Sequence, residues 1–190
     1  MPEHRFHFFV FAVLTALGTW WLLRVVGVED GASKTTTQVK HAADYFSSGY
    51  VKWEMDSSGR LKSKLIADTL THYRDDGTTH LANPVMTFVN PDAPPWVIQA
   101  ETGVVSSDRK HIQMNGKAVV ARDSAPGKRA MKINSSNLRV QPEIDYAETD
   151  EWAELLSPPN RTEGVGMKLS YGSPVRIELF SKVKGKYETK

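Results

Sequence analysis

Hydrophobic and polar positions follow two different patterns along this chain. Near the N-terminus, residues 6–23 contain only three polar side chains, and the apolar stretch continues past Arg24 to residue 28. A helix of that length would be about 35 Å long at ~1.5 Å per residue, enough to cross the ~30 Å hydrocarbon core of a bilayer. The pattern therefore predicts one transmembrane helix over residues 6–28, preceded by a short tail of residues 1–5.

A cleaved signal peptide is the alternative interpretation of this segment. The apolar stretch is longer than the 7–15 residues typical of a signal peptide, and residues 31–33 offer only a weak cleavage site. Arg5 lies before the stretch and Arg24 and Lys34 lie after it, so the distribution of positive charge does not decide the orientation. Because so few residues precede the helix, we expect the N-terminus to stay inside and the rest of the chain to lie outside.

After the apolar stretch, the pattern changes to a period of two. Residues 29–43 are small and polar, which predicts a linker, although an edge strand at residues 35–39 is an open alternative. A single domain is predicted over residues 44–190. In its first strand, residues 50–55, alternation places Val51, Trp53 and Met55 on one face and Lys52 and Glu54 on the other, and the pattern leaves open which face lines the interior.

Further short strands with turn residues between them follow this first strand. Strands are predicted at residues 60–67, 85–89, 96–101, 112–114, 117–122, 131–134, 165–171, 175–179 and 182–187. Turns are predicted at residues 56–59, 75–77, 91–95, 115–116, 125–127, 157–159 and 172–174. Residues 152–156 could form one helical turn. The pattern predicts an all-β meander, sandwich or jelly roll.

Weakly similar units begin near residues 67, 100, 135 and 164. A period near 30 residues predicts stacked pairs of antiparallel strands, each pair burying its apolar face against its neighbours. An ordinary β meander, which also has a quasi-regular spacing, is the alternative.

Composition and motifs exclude several classes of function. There are 24 Lys and Arg against 22 Asp and Glu, so the chain lacks the basic excess of a typical nucleic-acid-binding protein. The absence of cysteine excludes disulfides and thiolate metal sites. Neither a nucleophile elbow nor a phosphate-binding loop is present, and the six histidines are scattered. We therefore predict no catalytic residues, no metal and no cofactor.

The apolar strand residues are the remaining candidates for function. They could form an ordinary core, or a curled sheet could leave part of its interior open as a slot for an apolar ligand. Sequence patterning leaves both alternatives open.

Three segments carry a resemblance to a known family. They are GRLKSKLIADTLTHYRDDGTTHLANPVMTF (residues 59–88), PPWVIQAETGVVSSDRKHIQMNGKAVV (residues 94–120) and GVGMKLSYGSPVRIELFSKVKGKYE (residues 164–188). With the short tail and the apolar stretch before them, the chain resembles the lipopolysaccharide export family LptC. Trp152 and the segment Ser157-Pro158-Pro159 depart from the family's pattern.

The resemblance implies a half-open periplasmic β-jelly roll of stacked antiparallel strands, anchored in the inner membrane by one helix. Such a protein is not an enzyme. It takes lipopolysaccharide from an ABC transporter, whose subunits include LptF and LptG, and passes it to the bridge protein LptA. The alternative is a structural adaptor that aligns transporter and bridge without carrying lipid.

The resemblance also implies two sets of site residues. Those expected to contact lipid are Tyr50, Trp53, Leu65, Leu81, Phe88, Ile98, Ile112, Met114, Leu169, Ile177, Leu179 and Tyr187. Tyr45, Tyr50 and Val51 are expected at the edge that meets the transporter, and Val175, Ile177, Val183 and Tyr187 at the edge that meets LptA. Exposed strand edges present unpaired backbone groups, to which another protein can add a strand.

Overall fold

The computed structural model describes residues 13–22, 42–91 and 93–188, in two units, Met1–Lys40 and His41–Lys190. In the first unit, residues 13–22 form a helix. Among the described residues, no helix is long and apolar enough to span a membrane. The rest of the predicted span, the strand considered at 35–39 and all but the last residues of the linker lie outside the described residues.

The second unit is all-β, as the alternating pattern predicts. Its strands are β1 (Ala43–Met55), β2 (Leu61–Tyr73), β3 (Thr79–Ala82), β4 (Val85–Asn90), β5 (Ala93–Val105), β6 (Ile112–Arg122), β7 (Met131–Gln141), β8 (Tyr146–Ser157), β9 (Asn160–Ser170) and β10 (Arg176–Lys186). They form one antiparallel sheet in the order β1-β2-β3-β5-β6-β7-β8-β9-β10, and β4 pairs with β2 and β5. A short 3₁₀ turn, Pro142–Ile144, precedes β8.

Most of the long strands bend near their middle, where the pairing register shifts by one residue. These shifts occur in every pair from β5–β6 to β9–β10. Residues with left-handed backbone conformation lie at or beside them: Gly116, Asn137, Gly166 and Lys182. An extra residue on one strand bends that strand and increases its twist. We call this row of irregularities the bulge line.

The bulge line overturns one predicted turn. Asn115 and Gly116 lie inside β6, and the φ angle of Gly116 is 76°. The side chain of Glu101 occupies the space that a Cβ atom at this glycine would need. The Asn-Gly pair therefore bends a continuous strand, and the two strands predicted at residues 112–114 and 117–122 are one.

Both halves of each long strand bury the same face, so the sheet folds over onto one core. In β6, Ile112 and Met114 lie before the bulge line and Val120 lies after it, and all three belong to one cluster of buried residues. Phe88 of β4 contacts Tyr171, which follows β9, at a ring-centroid distance of 4.7 Å. The result is two layers made from a single sheet, a jelly-roll-type arrangement.

Several other sequence predictions are wrong in detail. The strands predicted at residues 175–179 and 182–187 are one strand, β10, and the turn predicted at residues 91–95 overlaps the start of β5. Residues 152–156 are part of β8 and not helical. Alternation is hard to recognise in β8 because small residues, Ala147, Thr149 and Ala153, occupy its buried positions. β1 begins at Ala43 and not at residue 50. The spacing of about 30 residues has a simple origin, because the units starting near 100, 135 and 164 begin in β5, β7 and β9, the first strands of successive hairpins.

Candidate functional site

A groove opens between the two layers where β1 and β2 form the end of the sheet. Its cavity volume is about 430 Å³, within the range of about 300–1,000 Å³ found for ligand pockets. Its lining comes from β1 to β6, the turn between β5 and β6, and the 3₁₀ turn. We call it the N-terminal groove.

The groove has an apolar floor and a polar rim. The floor is formed by Leu65, Leu70, Leu81, Met86, Val105 and Ile112. Four of these are buried: Leu70, Leu81, Met86 and Ile112. The rim carries exposed side chains that include Lys52, Glu54, Ser107, Arg109 and Glu143. An apolar chain on the floor would thus leave water while a charged headgroup stayed at the surface.

The structure shows which face of β1 points inward, and it is the face opposite to Val51, Trp53 and Met55. Tyr50, Lys52 and Glu54 line the groove, whereas Val51, Trp53 and Met55 are 37%, 56% and 54% exposed. Tyr50 packs against the buried cluster of Ala67, Leu70 and Leu81, which fixes the orientation of the strand. Alternate residues point to opposite faces, so Trp53 lies outside the groove, with Lys64 Nζ 5.8 Å from its ring centroid.

The structure divides the twelve predicted lipid-contacting residues into four groups. Four line the groove: Tyr50, Leu65, Leu81 and Ile112. Four are buried in the core: Phe88, Ile98, Met114 and Leu169. Two are half-buried against that core: Ile177 and Leu179. Two are mostly exposed and do not line the groove: Trp53 and Tyr187. From β5 to β9 the interior is filled by the chain's own side chains. Besides the groove, a smaller cavity of about 170 Å³ lies beside Phe88, Trp96 and Tyr171.

Sequence reasoning missed several floor residues. Met86 belongs to the predicted strand 85–89 and alternates with Phe88, so its inward orientation was available from the pattern. Val105 was hidden because Gly103 interrupts the apolar pattern, although β5 continues through it to Val105. Leu70 lies after a stretch of β2 that alternates poorly.

Charges on the rim are only partly paired. Glu54 lies 3.7 Å from Lys52 Nζ and 4.0 Å from Lys62 Nζ. His72 contacts Thr79 Oγ1 at 3.0 Å and stacks on Tyr45 with ring centroids 4.8 Å apart. Burial, with a smaller contribution from Tyr45, raises the pKa of Tyr50, and the positive charge of Arg109 opposes this rise. Arg109 and Tyr50 both line the groove.

Each end of the sheet has a strand edge without a partner among the described residues, on β1 and on β10. Tyr45, Tyr50 and Val51 lie on β1, and Ile177 and Val183 lie on β10, where Val183 is 52% exposed. The other two predicted edge residues flank β10: Val175 precedes it and Tyr187 follows it. The Tyr187 hydroxyl lies 3.1 Å from Thr162 Oγ1, which links the segment after β10 to β9.

Within the described part of the chain, no group of three or more His, Asp or Glu side chains could hold a metal ion. The site combines an apolar floor, a polar rim and two strand edges. This arrangement suits binding and assembly.

Comparisons with known proteins agree with this geometry. A family model described as "LptC: Lipopolysaccharide-assembly, LptC-related" matches residues 8–188. Among solved structures, the fold is similar to that of LptH from Pseudomonas aeruginosa, described as the LptA-homologous periplasmic component of the conserved lipopolysaccharide transport device. The TM-score is 0.54 at 11% sequence identity, over 67% of this chain and 95% of that one. No curated protein matches the chain in sequence.

Proposed function

Because the chain belongs to the family of lipopolysaccharide-assembly proteins related to LptC, we propose that it binds lipopolysaccharide in the N-terminal groove and passes it on during transport to the outer membrane. The observation that carries this proposal is the buried apolar floor between the two layers. An acyl chain exposed to water costs about 0.8 kcal/mol per CH₂. A floor of leucine, methionine and isoleucine side chains offsets that cost.

The two unpaired edges support a place between two partners. In this proposal, the β1 edge adds to the periplasmic β-domain of the transporter subunit LptF, next to LptG, and the β10 edge adds to LptA. Main-chain hydrogen bonds would then continue one sheet through successive proteins. The apolar stretch at residues 6–28 would hold the chain in the inner membrane with the β-domain in the periplasm. ATP hydrolysis would belong to the transporter, and this chain would catalyse no reaction.

One observation favours a second candidate function, that of a structural adaptor. Ile98, Met114 and Leu169 are fully buried, so lipid can travel beyond the groove only if the two layers separate. An adaptor would need no such movement, since it would only align the transporter with the bridge.

A photo-crosslinking amino acid at Leu65 tests lipid binding. Leu65 lines the groove, whereas its neighbour Ile66 is 37% exposed and does not line it. In cells with an active transport machine, we expect lipopolysaccharide adducts at position 65 and few at position 66. Equal or absent adducts at both positions would contradict the proposal.

A polar substitution separates the carrier from the adaptor. Leu65 is only half-buried, so we expect the full-length variant Leu65→Asn to fold, as checked by its thermal unfolding. A carrier should then lose lipopolysaccharide transport, whereas an adaptor should keep it while still binding the transporter and LptA.

A further inference from the structure

Arg109 is held at the rim of the N-terminal groove by the geometry of the turn between β5 and β6. In this turn, the Ser106 N–H donates to the His111 carbonyl at 2.9 Å, and the Arg109 N–H donates to the Ser106 carbonyl at 2.9 Å. Arg109 itself has a left-handed φ angle of 61°, an uncommon conformation for a residue other than glycine. The turn's hydrogen bonds thus fix the backbone from which this guanidinium reaches the groove.

The acidic residue of the same turn is occupied elsewhere. Asp108 accepts hydrogen bonds from Ser106 Oγ at 2.6 Å and from the Lys110 N–H at 2.9 Å, and it lies 3.6 Å from His111 Nδ1. Arg109 makes no ion pair with any residue of the described chain. Its charge therefore remains available at the rim of the groove, which Tyr50 also lines.

We propose that Arg109, together with the Tyr50 hydroxyl, binds a phosphate group of the lipid whose acyl chain lies on the groove floor. This inference rests on the proposed function. Guanidinium groups bind phosphate through paired, charge-assisted hydrogen bonds. The apolar floor begins directly below this rim, because Ile112 and Val105 flank the turn. One amphipathic ligand could therefore satisfy both surfaces.

The remaining charges on the rim allow a second test. Glu54 is close to Lys52 and Lys62, which offset its charge. Glu143 also lines the groove and makes no ion pair within the described residues, so it should repel a phosphate. Removing its charge should strengthen binding, and removing the charge of Arg109 should weaken it.

The test compares two probes, lipid A with its phosphates and the same lipid A after enzymatic dephosphorylation, on the full-length protein in detergent. For Arg109→Gln we expect binding of the phosphorylated probe to weaken by about tenfold or more, as for loss of a charge-assisted hydrogen bond, and binding of the other probe to stay unchanged. Arg109→Lys should keep most of the affinity, and Glu143→Gln should raise it. Lys110→Gln, in the same turn but outside the groove lining, is the matched control.

The outcomes separate this proposal from the proposed function. If wild type binds both probes equally, or if Arg109→Gln weakens both to the same extent, the phosphate site is wrong while lipid binding in the groove stands. If wild type binds neither probe, both proposals fail. A specific loss for the phosphorylated probe that shrinks at high salt would support the phosphate site.

Discussion

The rings of Phe88 and Tyr171 meet across the two layers of the folded sheet, with centroids 4.7 Å apart and an interplanar angle of 37°. Met86 lines the N-terminal groove, and Phe88 is the next residue on the same face of β4. The contact therefore joins the two layers beside the groove, and both rings also line a smaller cavity of about 170 Å³. Beyond it, the side chains of β5 to β9 fill the core.

Removing the Phe88 ring should destabilise the fold strongly. Phe88 is 6% exposed, and truncation of a buried phenylalanine to alanine costs about 3–5 kcal/mol. We expect this loss for Phe88→Ala in urea-induced unfolding followed by circular dichroism. Val89→Ala is the control, because Val89 is 38% exposed and should change the free energy of unfolding far less. Similar losses for the two variants would show that the Phe88–Tyr171 contact does not hold the layers together.

Opposite faces of β1 should differ in their effect on lipid binding. Tyr50 lines the groove and Trp53 does not, so Tyr50→Ala should weaken lipopolysaccharide binding and Trp53→Ala should leave it unchanged. Loss of the contact between Trp53 and Lys64 should cost less than about 1 kcal/mol of stability, as for exposed cation–π pairs. Affinity and thermal unfolding of both variants check this, and an equal loss of affinity would contradict the groove as the binding site.

Stability should fall at alkaline pH because of Tyr146. Burial and the hydrogen bond that its hydroxyl donates to Glu148 at 2.8 Å raise the pKa of Tyr146 to about 12 from an ordinary 10.0. A raised pKa in the folded state means that this contribution is complete below pH 10 and is lost as the pH rises from 10 to 12. In Tyr146→Phe, the urea midpoint should decline less over this interval. An identical decline in wild type and variant would exclude Tyr146 as a cause.

The β10 edge should tolerate a charge in the isolated protein but not in the assembly. Val183 is 52% exposed, so Val183→Asp should change the free energy of unfolding by less than about 1 kcal/mol, as for most surface substitutions. If this edge adds to LptA, co-purification with LptA should decrease. Ser124→Asp adds the same charge in the exposed turn between β6 and β7 and should have no effect. Unchanged co-purification for Val183→Asp would argue against the edge contact.

The sequence pattern predicted the features that depend on neighbouring residues, namely most strands and several turns. Alternation identified most strands, and the Asp56–Gly59 and Ser157–Pro159 turns lie where expected. The sequence pattern failed where two different local structures are compatible with the same residues. An Asn-Gly pair fits a hairpin turn or a bulge, and only the pairing of β6 with both neighbours decides between them.

The candidate site was less predictable than the fold. Its floor collects residues from five strands, β2 to β6, and no local pattern shows which apolar residues face a gap and which fill a core. β1 illustrates the same limit, because both of its faces carry large side chains and only packing against Leu70 and Leu81 selects Tyr50 as the inward one. Arg109 had no sequence signal, since its place at the rim comes from the folded turn.

The bulge line gives the domain a crease that runs across most of the long strands. Within each layer, backbone hydrogen bonds join neighbouring strands. A change of angle between the layers at the bulge line therefore leaves those bonds intact. Separating the two layers would instead break contacts between side chains of opposite layers, such as Phe88 and Tyr171. The two layers could therefore separate by a change of angle at the bulge line, without breaking the hydrogen bonds between neighbouring strands.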